Sequence, residues 1–199
     1  RVDKSDTSVI ANDAVQTPAA SQPRIVNNGV VEKENGKPAL NFDGADDEFL
    51  VGTGVYSVDQ PVVNHFSVQK ILSIGLSSYV LGGQGDAGYE ALYSPVDEVR
   101  PATIRTSGLT AENGTNVVDV QHLIYQIADR TILQSYLNGT LDVDTFDRDS
   151  NYTDNDVVIG SRGGSSFLDG TIQEIIVYTS DQTANREIIE ANIKKRYNI

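Results

Sequence analysis

Cation-binding side chains are concentrated in one short acidic segment of this chain. Asp147, Asp149 and Asn151 place oxygen ligands at alternating positions, as in the first half of a calcium loop of the Asp-x-Asp-x-Asn type. Tyr152 stands where the sharp-turn glycine of that loop belongs, and Val158 occupies the place of its bidentate glutamate. Crowded carboxylates repel each other, and a bound divalent ion removes that repulsion. The segment is therefore either a Ca²⁺ site, with calcium as the one candidate cofactor, or a solvated loop.

Other residues able to do chemistry lie in contexts that argue against catalysis. The two histidines, His65 and His122, are separated from each other and from any serine or acidic motif. Both fall within predicted strands, where satisfied or half-exposed histidines are expected. Residues 83–88 match a dinucleotide-binding fingerprint in outline, but a strand from Tyr89 to Tyr93 follows where a helix is needed. We assign no catalytic residue from the sequence.

The elements that must position these residues are mostly short strands. Apolar residues alternate with polar ones at Phe66 and Val68, which is the period of a strand. Asn138-Gly139 favours a type I′ hairpin turn, because both central positions of that turn need a positive φ. Frequent turns between short strands, without βαβ alternation, predict an all-β fold: an antiparallel two-sheet sandwich.

One amphipathic helix is predicted at the C-terminus, from Thr183 to Tyr197. Thr183 is a plausible N-cap, and lysines and an arginine near the other end complement the helix dipole. Ile189, Ile193 and Tyr197 recur at a spacing of four residues. One stripe of the helix is therefore expected to pack against the sandwich.

Charge and composition narrow the possible partners. The 199 residues include 28 acidic and 15 basic side chains, which gives a formal net charge of −13. Such a surface repels phosphate backbones and anionic lipid, so nucleic acid and membrane insertion are not expected. The chain has no cysteine, which excludes disulfides and thiolate metal sites. Its length suits a single sandwich domain.

Two segments carry a resemblance to a known family. Residues 40–47, Leu-Asn-Phe-Asp-Gly-Ala-Asp-Asp, and the C-terminal third from Tyr136 to the helix resemble the laminin-G-like jelly roll of the concanavalin A-like lectin and glucanase superfamily. The resemblance covers residues 22–199 and implies a two-sheet jelly-roll sandwich closed by one C-terminal helix. Residues 1–21 are expected to be a polar N-terminal arm, or the remnant of a preceding region of a longer protein.

The resemblance also implies a function. Members of this kind, in bacterial surface and phage virion proteins, suggest a non-catalytic carbohydrate- or cell-surface-binding or display module of a larger secreted or virion protein. Its partner would be a glycan or a cell-surface receptor, met outside the cell or at the virion surface by rim loops. Tyr89, Tyr93 and Arg162 are the candidate contacts, since aromatic rings stack on sugar faces and arginine forks onto hydroxyl or carboxylate oxygens.

Two alternatives remain open beside this interpretation. The first is a structural virion or surface-assembly domain whose partners are other subunits. The second, remote alternative is a glycoside hydrolase, because Asp142, Asp144 and Asp147 repeat the spacing of the carboxylates in the glucanases of this superfamily. Aspartate is shorter than the expected glutamate, and the chain has no tryptophan to support a sugar ring. We therefore do not expect an enzyme.

A second acidic segment is interpreted differently. For Asp43, Asp46 and Asp47 the resemblance implies that the aspartates fix a turn. They are a weaker candidate for a bound cation than the 147–151 segment.

Calcium is expected to stabilise the folded protein through the Asp147, Asp149 and Asn151 loop. An ion that binds only the folded state adds RT ln(1 + [L]/Kd), or about 2.7 kcal/mol at a hundredfold excess over Kd. At roughly 2–4 °C for each kcal/mol, the melting temperature should rise by several degrees. Thermal melts in millimolar calcium and in chelator measure this rise. If the two melting curves coincide, the prediction of a calcium site is wrong.

Overall fold

The computed structural model describes residues 14–52, 55, 61–72, 79–83, 91–93, 102–105, 108–111, 115, 118–129, 131–146 and 157–199. Within these ranges the chain forms antiparallel strands and a single C-terminal α-helix, which confirms the fold class predicted from the sequence. No helix in the described ranges is long and apolar enough to cross a membrane.

The described ranges contain sixteen strands, which we number in chain order. They are β1 (Val26–Asn27), β2 (Val30–Val31), β3 (Lys33–Glu34), β4 (Lys37–Pro38), β5 (Leu40–Asp43), β6 (Phe49–Gly52), β7 (Val63–Ile71), β8 (Tyr79–Gly83), β9 (Ala91–Tyr93), β10 (Ala102–Arg105), β11 (Gly108–Ala111), β12 (His122–Ala128), β13 (Ile132–Leu137), β14 (Thr140–Phe146), β15 (Val157–Ile159) and β16 (Asp169–Tyr178). The helix α1 spans Arg186–Tyr197, and 3-10 turns lie at Ala19–Ser21 and Thr183–Asn185.

Two sheets form the sandwich. The larger has the order β14–β13–β12–β7–β16–β5, and the smaller has the order β6–β15–β8–β9. Three further pairs are separate hairpins: β1–β2, β3–β4 and β10–β11. In the larger sheet β7 pairs antiparallel with both β12 and β16, which lie far from it in sequence. Strands from both halves of the chain therefore build each sheet.

Apolar side chains fill the space between the two sheets. Phe42, Ile71, Ile124 and Leu168 form one buried cluster, with Val80 of the smaller sheet. A second buried cluster, which also joins the sheets, consists of Val63, Leu81 and Val157. Burying each such side chain stabilises the fold by about 1.5–3 kcal/mol.

Helix α1 covers the opposite face of the larger sheet. Ile193 and Tyr197 pack with Phe66 and Val68, and the partly buried Ile189 joins them. This confirms the apolar stripe predicted for the helix. Because the small sheet covers one face of β7 and the helix covers the other, the strand is buried on both sides over most of its length.

The start of the helix differs in detail from the prediction. A 3-10 turn at Thr183–Asn185 precedes α1, and Thr183 does not act as the cap. Asp181 Oδ1 instead accepts hydrogen bonds from the Thr183 backbone N–H at 2.8 Å and from its hydroxyl at 2.6 Å. These bonds, the hydroxyl one foremost, lower the pKa of the Asp181 carboxyl. The Asp181 carboxylate therefore closes the turn that leads into the 3-10 segment, and the N-cap residue of α1 is Asn185, which makes no side-chain capping bond.

The predicted hairpin turn between β13 and β14 is confirmed. Asn138 and Gly139 have φ values of 50° and 90°. The Asn138 side chain also accepts a hydrogen bond from the Leu123 N–H at 2.8 Å, and Lys194 Nζ of the helix donates to the Asn138 carbonyl at 3.2 Å. The turn thus ties the helix to the sheet edge.

The inner face of the larger sheet carries a polar network. Ser67 and Gln69 lie on the same face of β7 as Val63 and Ile71, since side chains alternate along a strand. Ser67 Oγ donates to Gln69 Oε1 at 3.0 Å, and Gln69 Nε2 lies 3.3 Å from His122 Nε2. His122 Nδ1 lies 2.8 Å from the Val120 carbonyl, so Nδ1 carries the proton and Nε2 accepts from Gln69. His122 is thus the hydrogen-bonded strand histidine that the sequence predicts.

His65 does not match that prediction. It is fully buried on the same inner face, and neither ring nitrogen has a hydrogen-bond partner among the described residues. Its cross-strand neighbours are Gln126 on β12 and Val177 on β16. Burial lowers the pKa of His65 to about 3, so the ring is neutral at physiological pH.

Replacing His65 by leucine should flatten the acid dependence of stability. The folded-state pKa of about 3 lies below the ordinary 6.5, so the unfolded chain binds the extra proton. The free energy of unfolding therefore falls as pH drops below 6.5, by up to about 1.4 kcal/mol per pH unit for this group, until pH reaches the folded pKa. His65→Leu removes that slope, and stability at pH 7 is unchanged or higher because no hydrogen bond is lost.

Urea unfolding between pH 7 and pH 4 measures the effect. His122→Leu is the control at pH 7, because it leaves Gln69 without its acceptor and should cost about 1–3 kcal/mol there. Burial also lowers the pKa of His122, to about 4, so this variant should lose part of the acid slope as well. A larger loss for His65→Leu than for His122→Leu would contradict the assignment.

Candidate functional site

The acidic turn between β5 and β6 is fixed by its own side chains. Asp43 Oδ1 accepts a hydrogen bond from the Ala45 N–H at 2.9 Å, and Asp47 Oδ2 accepts from the Asp43 N–H at 2.9 Å. Gly44 has a φ of +75°, and its N–H donates to the Leu168 carbonyl at 2.9 Å. The aspartates therefore fix a turn, as the resemblance implied, and the turn is anchored to the segment that leads into β16.

Three carboxylates of this turn lie close together. One oxygen from each of Asp43, Asp46 and Asp47 lies within 4.8 Å of the others. Burial raises the pKa of the Asp47 carboxyl, repulsion from Asp43 and Asp46 adds to the rise, and the Asp43 N–H and Arg24 oppose it. Ser21 Oγ donates to Asp46 Oδ2 at 2.9 Å. Like charge is thus concentrated at one point of the sandwich edge.

A second loop, residues 160–168, packs against the acidic turn. Gly160 has a φ of +88°, and a Cβ at this position would overlap the Phe42 ring. The Leu168 N–H donates to the Gly160 carbonyl at 2.8 Å and closes the base of the loop. Glu48, which follows the acidic turn, accepts hydrogen bonds from the Ser161 hydroxyl and from the Gly164 N–H, the latter at 3.1 Å. We call residues 43–48 together with residues 160–169 the Arg162 rim.

Arg162, one of the predicted contact residues, is held in place by the loop and by the small sheet. Its backbone N–H donates to the Ser165 carbonyl at 2.8 Å, and the Ser165 N–H donates back at 3.2 Å. The guanidinium carbon lies 6.0 Å from the centroid of the buried Tyr79 ring, in cation–π contact. The side chain is partly exposed, so its donors can reach a ligand at the surface.

The other predicted contacts are less completely placed. The backbone register sets Tyr93 of β9 opposite Tyr79 of β8, which is the residue that Arg162 contacts. Tyr89 lies outside the described residues. The calcium ligands Asp147, Asp149 and Asn151 also lie outside them, and that site stays a prediction.

The carboxylates with glucanase-like spacing bind neutral partners on the edge strand β14. Asp142 accepts hydrogen bonds from the Thr115 N–H at 2.9 Å and from the Thr115 hydroxyl. The exposed Asp144 accepts from Gln134 Nε2 at 3.1 Å. The strand register shifts at Ser135/Tyr136, so Asp142 is an extra residue opposite β13. The third aspartate of the pattern, Asp147, is not among the described residues.

Sequence reasoning missed Glu48, Ser161 and Gly164. Glu48 and Ser161 are 113 residues apart, and the residue types alone give no sign that they meet. The available sequence signal was the turn that follows β5 and the loop that follows β15, which both place their residues at the ends of strands.

Comparisons with known structures support the fold. No protein-family model and no curated protein sequence match the chain. Among solved structures, domain 4 of AbnA, an extracellular arabinanase from Geobacillus stearothermophilus in complex with arabinotriose, aligns with a TM-score of 0.59 at 16% identity, over 79% of this chain and 80% of that one. A carbohydrate-binding module, CBM40, of a Ruminococcus gnavus sialidase, bound to sialyllactose, aligns with a TM-score of 0.51 at 17% identity, over 63% and 80%.

Toxin domains share the same fold. The binding domain of botulinum neurotoxin serotype G aligns with a TM-score of 0.59 at 10% identity, over 76% of this chain. The chain spans only 41% of that binding domain. At such identities the matches show a β-sandwich fold, and the narrower assignment to the concanavalin A-like superfamily and its laminin-G-like members stays a prediction.

Removing the Glu48 carboxylate should loosen the Arg162 rim. Glu48→Ala removes the charged acceptor of the Ser161 hydroxyl and leaves the Gly164 N–H only its longer bond to Ser161 Oγ at 3.4 Å, which should cost about 1.5–3 kcal/mol. Glu48→Gln keeps one acceptor oxygen and should lose less. Urea unfolding gives the change in stability, and amide hydrogen exchange at Gly164 reports the local opening.

Glu32→Ala is the matched control for this substitution. It removes a surface ion pair with Arg24 at 3.0 Å, which is worth less than about 1 kcal/mol. If Glu48→Ala were no more destabilising than Glu32→Ala, and Gly164 exchange were unchanged, Glu48 would not hold the loop.

Proposed function

We propose that this chain is a non-catalytic carbohydrate- or cell-surface-binding module of a larger secreted or virion protein, and that it contacts its ligand through the Arg162 rim. The observation that carries the proposal is the ordered, partly exposed Arg162 on a loop fixed at both ends. A rigid sandwich that presents loops at its end is a common platform for recognition.

The structural neighbours support a binding role over a catalytic one. By their names they include a domain in complex with arabinotriose, a module bound to sialyllactose, and a neurotoxin binding domain in complex with synaptotagmin II. We extend to this chain the class of partner that these share, a glycan or a cell-surface receptor. A location outside the cell or at the virion surface follows from the same class of partner.

Arg162 would supply most of the directional hydrogen bonding. Its guanidinium presents several N–H donors in a fixed plane, which suits the hydroxyl pairs of a sugar ring. The contact with Tyr79 limits the rotamers of Arg162, so less conformational entropy is lost on binding. Tyr93 and Tyr89 are proposed to add stacking surface beside it.

A structural role as a subunit-contacting domain is the second candidate. One observation favours it: the hairpin β1–β2 exposes its valines to solvent, and Val30 is 70% exposed. Exposed apolar clusters often mark protein contacts.

Arg162→Ala should abolish or strongly weaken glycan binding by the full 199-residue chain. Loss of a charged hydrogen-bond donor is worth about 1.5–3 kcal/mol, which is roughly a tenfold or greater rise in Kd. Arg162→Lys should retain part of the affinity, because it keeps the charge but not the planar fork. A glycan array followed by titration of the bound saccharides measures the change, and a thermal melt confirms that each variant is folded.

The matched control is Arg196→Ala, which removes an exposed arginine on the helix face of the sandwich. It should leave glycan binding unchanged. An array on which the native chain binds no saccharide, together with self-association in light scattering, would favour the structural alternative. Equal loss in both variants would move the site away from the rim.

A further inference from the structure

The charged side chains of the Arg162 rim are strongly unbalanced. Residues 43–48 and 160–169 contain one basic residue, Arg162, and five acidic ones, which are Asp43, Asp46, Asp47, Glu48 and Asp169. This excess matches the sign of the whole chain, whose formal net charge is −13. A ligand at the rim therefore meets a local field that adds to the field of the whole molecule.

The fold brings this charge next to Arg162. Glu48 accepts hydrogen bonds from Ser161 and Gly164, which lie within two residues of Arg162 on either side. The cluster of Asp43, Asp46 and Asp47 lies on the turn that these contacts anchor, with carboxylate oxygens within 4.8 Å of one another. The acidic turn and the loop that carries Arg162 therefore lie side by side at this end of the sandwich.

Arg24, which acts electrostatically on Asp47, does not cancel this charge. Arg24 acts on Asp47 at long range, but its guanidinium is paired with Glu32 at 3.0 Å. Arg162 is the one basic residue within the rim segments. Because Asp47 is buried, the four exposed or partly exposed carboxylates of Asp43, Asp46, Glu48 and Asp169 are the ones that give the rim segments their excess of negative charge.

Acidic side chains affect neutral and anionic sugars in opposite ways. A neutral saccharide offers hydroxyl donors, and exposed carboxylates such as those of Asp43 and Asp46 accept them in charge-assisted hydrogen bonds. A sialylated or uronic acid saccharide brings a carboxylate that several rim carboxylates repel. At ordinary ionic strength, charges within about 8 Å still interact.

We propose that the Arg162 rim selects uncharged oligosaccharides and discriminates against those that carry a carboxylate. The inference rests on the proposed function, and it names the ligand class of the same site. Arg162 then serves as a hydroxyl-binding fork, and the surrounding carboxylates act both as acceptors for neutral sugars and as a filter against acidic ones.

Matched saccharide pairs test this directly. Lactose and 3′-sialyllactose form one pair, and galactotriose and trigalacturonate form another, on an array that also carries further neutral glycans and their sialylated counterparts. The native chain should bind the neutral member of a recognised pair about fivefold to tenfold more tightly at low salt. The gap should narrow at about 0.5 M salt, because screening weakens the repulsion.

Charge variants separate the local effect from the net charge. Asp43→Asn with Asp46→Asn keeps the side-chain oxygens that accept from Ala45 and Ser21, and it removes two negative charges from the rim. This variant should lose the preference at low salt. The matched control, Asp144→Asn with Glu187→Gln, removes two charges from the opposite sheet edge and the helix, and it should keep the preference.

The outcomes distinguish the two proposals. Tighter or equal binding of the acidic member of a pair by the native chain would overturn the selectivity and leave the binding function standing. Equal loss of preference in both double variants would also overturn it, since the net charge would then be responsible. Binding of no saccharide, neutral or acidic, would overturn the proposed function and the selectivity with it.

Discussion

The pairing of β7 with β12 on one side and β16 on the other is the interaction on which the rest of the structure depends. The three strands form the centre of the larger sheet, and β7 is buried beneath the small sheet on one face and the helix on the other. Both pairings join segments far apart in sequence, so their loop-closure entropy must be offset by packing formed in the same step. Both apolar layers pack on these three strands, so the register of the strands decides which side chains meet in each layer.

The position of the Arg162 rim depends on those pairings. Its acidic turn follows β5, which pairs with β16, and its second loop runs from β15 to β16. Because the rim segments end on strands whose register is set elsewhere, few direct contacts are needed to place them. Glu48 and the backbone bond from Gly44 to Leu168 supply those contacts.

Residues with strong local signals were predictable from the sequence. Asn138-Gly139 has few alternatives to a tight turn, and the spacing of Ile189, Ile193 and Tyr197 is typical only of a helix face. The helix start was misplaced because a 3-10 turn at Thr183–Asn185 precedes α1, and the N-cap Asn185 makes no side-chain capping bond that would mark the start. The unpartnered state of His65 could not be predicted, since it depends on which strands lie beside β7.

The candidate site, too, was predictable only where the sequence carries a local signal. Arg162 was proposed as a contact residue through the resemblance, and its side chain is partly exposed. The contact of Glu48 with Ser161 crosses 113 residues and appears only once the sheets are assembled. Local patterns therefore identified the loop but not the residue that holds it.

The closed base of the loop after β15 has a consequence for the diversification of this scaffold. Gly160 and Leu168 are joined by a backbone hydrogen bond, and a side chain at Gly160 would overlap Phe42 in the core. The residues between them meet solvent more than core. Ser161 and Gly164 are in addition held by Glu48, so the part of the loop that can be changed or extended while the sandwich stays the same is the partly exposed stretch from Ser165 to Phe167.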